Sequence, residues 1–205
     1  LQISLQNVSK RYERQWLFKD VHVEINQGDR LAILGPNGSG KSTFLKLICG
    51  YVRPSSGDIY WRNLEILPIE QWHAHFSYCA PYLDLIEEFS LNEMVSFHFE
   101  LKMIRPHVDL DNLLSLAQLS LHKKKQISGF SSGMKQRLKL ILSLSSEAQI
   151  YFLDEPTTNL DEQGKQLYLQ LVNELPEDKT VIVASNDRNE YDYCTNRINI
   201  PELLG

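Results

Sequence analysis

A chain of 205 residues with 42% apolar residues is long enough for one domain, or one core with an inserted subdomain, that needs no covalent staple. The three cysteines, Cys49, Cys79 and Cys194, are odd in number and never spaced C-x-x-C, which suggests neither a disulfide framework nor a zinc site and fits a reducing cytosol. A net charge of −5 argues against nucleic acid as the main partner, because phosphate binding normally needs a basic face, and the single basic run, Lys123-Lys124-Lys125, reads as a solvated loop or helix end.

Leu1, Ile3 and Leu5 alternate with polar residues, as do Val21, Val23 and Ile25, so two half-buried strands open the chain. The turn at Gln27-Gly28-Asp29 leads into the apolar run Leu31 to Leu34, short enough for a buried strand. Gly35 to Gly40 is a glycine-rich loop, and Lys41 to Cys49 is a predicted helix stopped by Gly50. Ile59 and Trp61 mark another strand after the turn at 54–57. From about Pro81 the pattern becomes helical. Ser90 and Glu93 form a capping box before Met94, Phe97 and Leu101. Further helical patterns cover Leu113 to Leu119 and run from Gly133 through Leu138, Ile141 and Leu142. Ile150 to Leu153 is again a buried strand. Leu160, Leu167, Leu171 and Leu175 repeat at helical spacing up to Pro176, and Thr180 to Ala184 is a last core strand. Strands with intervening helices predict a parallel α/β sheet, with residues 81–146 as a mainly helical insertion. No apolar run approaches the roughly 18 to 20 residues that cross a bilayer, and no signal peptide opens the chain, so any membrane role is expected to come through another chain.

Gly35-Pro36-Asn37-Gly38-Ser39-Gly40-Lys41-Ser42-Thr43 matches G-x-x-x-x-G-K-[ST] in full, between a predicted strand and a predicted helix. Glycines let backbone N–H groups turn inward around a phosphate, and the helix N-terminus adds partial positive charge. Lys41 is expected to reach the β- and γ-phosphates of ATP, and the Ser42 hydroxyl to ligate Mg²⁺. Ile150-Tyr151-Phe152-Leu153 then delivers Asp154 and Glu155 to the C-terminal end of a strand, where α/β sheets bind ligands. An acidic pair there often only caps a helix. With the phosphate loop upstream, Asp154 is expected in the Mg²⁺ shell and Glu155 beside the attacking water.

These residues carry a resemblance to the nucleotide-binding domain of ABC transporter ATPases over nearly the whole chain. Asp154-Glu155-Pro156-Thr157-Thr158-Asn159-Leu160-Asp161 looks like that family's Walker B and D-loop. Phe130-Ser131-Ser132-Gly133-Met134-Lys135-Gln136-Arg137 is similar to its signature, in the form frequent among exporter-type subunits, 23 residues before Asp154. Tyr12 sits where the family stacks an aromatic ring on adenine, although a tyrosine at a strand end is more often simply packed.

The resemblance implies a P-loop NTPase (RecA-like) core with a parallel sheet, an N-terminal antiparallel β subdomain and an inserted helical subdomain. Residues 1–80 and 147–205 would form the core with its β subdomain, and 81–146 the signature subdomain. It also implies a head-to-tail dimer, homo- or heteromeric, with Ser131 and Gly133 of one subunit facing the γ-phosphate held by the other. A separate transmembrane permease would be the driven partner, with the chain peripheral on the cytoplasmic face of the membrane.

Two positions depart from the family pattern. The Q-loop glutamine aligns with Pro81, and no Gln occurs from 72 to 117. The switch histidine aligns with Asn186, and no His follows position 154. Proline has neither a polar side chain nor an N–H, and asparagine hydrogen-bonds without charge or proton relay. A slow ATPase with intact nucleotide binding is the expectation, with Glu155 and Asn186 as catalytic residues. The alternative is an ATP-binding regulatory switch with little hydrolysis. Chromosome and DNA-repair relatives carry long insertions that the 90 positions from Lys41 to Ser131 leave no room for. A small-molecule kinase would need neither the signature nor the block at 154–161, and a translation factor of this type would carry two cassettes.

Overall fold

A computed structural model describes residues 1–204. Its strands and helices in chain order are β1 (Gln2–Tyr12), β2 (Gln15–Ile25), β3 (Arg30–Leu34), α1 (Lys41–Ile48), β4 (Ser56–Arg62), β5 (Ile66–Leu67) and β6 (Phe76–Cys79). These are followed by α2 (Leu91–Leu101), α3 (Leu110–Leu116), α4 (Ser132–Ser145), β7 (Ile150–Asp154), α5 (Glu162–Asn173), β8 (Thr180–Ala184), α6 (Arg188–Tyr191) and β9 (Asn196–Asn199). The chain divides into two compact units. One holds residues 1–76, 149–154 and the chain from 177 on; the other holds 77–148 and 155–176.

In the first unit, β2-β1-β4-β5 form an antiparallel sheet. Alternation places Ile3, Leu5, Phe18 and Trp61 on its buried face. β1 bulges between Leu5 and Val8, with Asn7 at φ 52°. Gly57 faces the bulge at φ 78°, and a Cβ there would lie 2.2 Å from the Asn7 carbonyl oxygen, so only glycine fits. A second sheet runs β7-β8-β3-β9, every pair parallel. β7 and β8 are buried at every residue, which explains the apolar runs Ile150 to Leu153 and Val181 to Ala184. An aromatic cluster fills this unit's core. Trp61 stacks on Trp72 at 4.9 Å between ring centres, Phe76 packs edge-on to Phe152 at 5.5 Å, and the Trp61 indole N–H donates to the Ile48 carbonyl at the end of α1.

The second unit is helical. Both arms of the capping box at α2 are made: the Ser90 N–H donates to Glu93 Oε2 at 2.7 Å, and the Glu93 N–H donates to Ser90 Oγ. α4 is buried at Gln136, at Leu138 and from Leu140 to its end, making it the central helix. Arg105 closes the far end of this helix layer. Its backbone N–H and Nε donate to the carbonyls of Ser145 and Leu144, and its Nη1 to that of Glu174, placing one cation where α4 and α5 both end.

The helix expected over Leu113 to Leu119 is α3, three residues earlier at both ends; Gln118, at φ 59°, turns the chain out of it. The polar strand β9, Asn-Arg-Ile-Asn, carries no apolar alternation and is held by its parallel pairing with β3.

Candidate nucleotide-binding site

β3 ends at Leu34, and the loop that follows turns on Gly35, Gly38 and Gly40, at φ 148°, 83° and 105°. At Gly35 a Cβ would meet Ser39 Oγ at 2.5 Å, so the glycine permits the tight curl. Gly40, in the left-handed conformation, is the N-cap of α1 and supplies no side-chain cap, so the first amides of α1 remain available to an anion. Lys41 is buried and folds back into its own loop, Nζ donating to the carbonyls of Gly35 at 2.8 Å and Pro36 at 3.3 Å. Ser39 Oγ is buried without a hydrogen-bond partner. These features fit a polyphosphate, which would supply acceptors to an ammonium and a hydroxyl otherwise left short of them.

The Ser42 hydroxyl donates to Asp154 Oδ1 at 3.0 Å, joining the start of α1 to the end of β7. Two hard oxygen ligands side by side suit Mg²⁺, which takes one or two protein oxygens and completes its octahedron with phosphate oxygens and water. Among the described residues no cluster of three His, Cys, Asp or Glu could hold a metal unaided. Asn186, after β8, donates from Nδ2 to Asn37 Oδ1 at 2.5 Å and so lies against the tip of the phosphate loop. Tyr12 ends β1 half exposed, with Lys10 Nζ over its ring, 4.8 Å from the centre.

Lys41, Ser42, Asp154, Asn37 and Asn186 thus share the first unit, whereas Glu155, Ser131 and Gly133 belong to the second. Glu155 directly follows Asp154 at φ 43°, an uncommon conformation for glutamate. Ser131 caps α4, its Oγ accepting from the Met134 N–H at 3.2 Å. A Cβ on Gly133 would come within 3.1 Å of the Asn159 carbonyl oxygen, and Gln136 Nε2 donates to the Pro156 carbonyl at 2.7 Å. The signature helix is therefore bonded to the loop after Asp154. Sequence reading missed Gln136 and Asn159 in this role. The signature run contains the first and the D-loop run the second, but neither says which backbone atoms meet. Pro81 offers only its carbonyl, which accepts from Lys139 Nζ at 2.6 Å.

A parallel sheet whose strand ends in a glycine loop opening a helix, with an aspartate delivered by another strand, is the architecture of a P-loop nucleotide-binding domain. The ABC transporter family profile matches residues 18–158, and the chain belongs to that family as an ATP-binding domain. It is 30% identical to a probable metal transport system ATP-binding protein of Chlamydia muridarum, over 96% of this chain and 86% of that one. It is 27% identical to the spermidine/putrescine import ATP-binding protein PotA of Mycoplasma mycoides, covering 96% of this chain and only 57% of the relative. The dimeric structure of the bacterial ABC transporter cassette MJ0796 superposes with a TM-score of 0.80 at 26% identity, over 96% and 93% of the two chains. The same cassette is also known in a post-hydrolysis state bound to ADP and phosphate.

Proposed function

We propose that the chain binds Mg²⁺-ATP and hydrolyses it slowly to drive an ABC membrane transporter through ATP-dependent, head-to-tail dimerisation. The observation that carries this is the joined set of Lys41, Ser42 and Asp154 around an amide-lined loop with an unsatisfied Ser39 hydroxyl. Gly35 to Gly40 and Thr43 would enclose the β-phosphate, Lys41 would bridge to the γ-phosphate, and Ser42 and Asp154 would hold the metal that neutralises charge there. Tyr12 is the proposed adenine platform. Glu155 would orient the attacking water and take its proton as the bond from Pγ to the bridging oxygen breaks, leaving ADP and phosphate. Asn186, neutral, would donate to the γ-phosphate. Ser131, Gly133 and the N-terminus of α4 would complete the site of a second subunit.

Slowness follows from Pro81 and Asn186. Each lost transition-state contact of this kind costs roughly 10²- to 10³-fold in rate. A heteromeric partner with its own glutamine and histidine would restore one complete site. No helix among the described residues is long and apolar enough to cross a membrane. The second unit exposes Phe97 and Leu101 on α2, and Met103 and Ile104 beyond it, together with Tyr82 and Leu83, apolar surface suited to a permease on the cytoplasmic side of the membrane. The signature variant resembles exporters while one similar relative is named for import, so both directions stay within the proposal. Residues 81–146 are the proposed signature subdomain.

Calorimetry with Mg²⁺-ATP, with Lys41→Ala as control, tests the binding. Heat in the wild type that the variant abolishes is expected, and no heat in either overturns the proposal. Phosphate release with the membrane partner present separates a slow motor from a switch that binds without turnover.

A further inference from the structure

One face of α4 makes a row of polar contacts that nucleotide chemistry does not use. Lys135, Lys139 and Ser143 are four residues apart and so stack along one side of the helix. Ser143 Oγ lies 2.9 Å from Ser77 Oγ, Lys139 Nζ donates to the Pro81 carbonyl at 2.6 Å, and Lys135 pairs with Glu87. Residue numbers rise on one side as they fall on the other, so the chain from β6 to the start of α2 runs antiparallel along α4.

The middle contact sits where the sequence departs from its family. Pro81 has no donor and no polar side chain, yet its carbonyl takes a cation from the signature helix. Lys139 borders a cavity of about 170 Å³ lined in part by Leu83, Leu85, Met94 and Leu142. Burial holds its ammonium below the usual lysine range, against the opposing pull of Cys79 and Asp84 and with Lys135 adding to the drop. A lysine on a solvated face would keep its hydration; this one gives part of it up to hold one carbonyl.

We propose that Lys139 is a positioning residue for ATP turnover. It fixes the Pro81 loop to α4, so that this loop and Ser131 at the helix N-terminus move as one piece. Eight residues of rigid helix, about 12 Å, carry a displacement of the loop to the signature. The inference rests on the ATPase reading above, but its first test needs no nucleotide.

Hydrogen–deuterium exchange at residues 82–86 is compared in wild type, Lys139→Met, Lys139→Gln and Lys139→Arg. Exchange about tenfold faster in the Met variant, confined to that loop and reversed by Arg, is expected. So is a kcat several-fold lower at unchanged KM, with Gln, which keeps one neutral donor, in between. Unchanged exchange overturns the latch. Faster exchange with unchanged kcat overturns the positioning role, and protection lost throughout 77–148 marks a merely structural lysine and overturns it as well. Should wild type fail to bind ATP, the ATPase reading falls while the exchange result still decides whether Lys139 holds the loop.

Discussion

In the proposed function Asn186 takes the place of the family's switch histidine: it gives one amide hydrogen to Asn37, and the second would serve a phosphate. An imidazole there would add charge and proton relay. Asn186→His is therefore expected to raise steady-state phosphate release by about tenfold or more, part of the roughly 10²- to 10³-fold that one such contact supplies. Equal or slower turnover would show that the missing imidazole does not limit the rate. That Ser42 and Asp154 come together was legible in the residues alone, because a glycine-rich motif after one apolar strand and an aspartate closing another both fall at the C-terminal ends of strands. The Gln136 bond to Pro156 and the Lys139 bond to Pro81 were not. Each ends on a backbone carbonyl, which every residue has and no sequence distinguishes.

At the scale of elements, strands buried on both faces and helices with strong caps announce themselves. β7 is apolar from Ile150 to Leu153 and β8 from Val181 to Ala184, and α2 opens on a capping box. β9 was invisible because parallel pairing with β3, rather than its own polar residues, makes it a strand. α2 also carries a pH-sensitive contact. His98 Nε2 lies 2.8 Å from Ser146 Oγ at the end of α4. Burial lowers its pKa below the ordinary 6.5, the Leu142 carbonyl partly opposes this, and Lys102 adds to the lowering. The folded state thus takes up the proton less readily than the unfolded chain. Stability from this site is complete above pH 6.5 and is lost as pH falls through the unfolded value towards the folded one. Between pH 7.5 and 5.5 the thermal midpoint of wild type is expected to fall further than that of His98→Gln. Parallel curves would refute the assignment.

At the scale of the molecule, the signature and the phosphate loop lie in different units, and the proposed dimer supplies the second site from another chain. The variant Glu155→Gln, which keeps the side chain's shape but removes its charge, is expected to elute with ATP at twice its nucleotide-free mass. Elution as a monomer with ATP bound would identify the head-to-tail partner as a different protein rather than a second copy.

The residues by themselves determined the family of the protein and the glycine-rich loop that opens α1, because those depend on residue type at short range. Tertiary structure alone decided which backbone carbonyls meet Lys139, Gln136 and Arg105, that Asn37 and Asn186 touch, and that a polar tail segment completes a sheet. Those pairings join positions far apart in the chain, and nothing in local periodicity encodes which distant partner a buried donor finds.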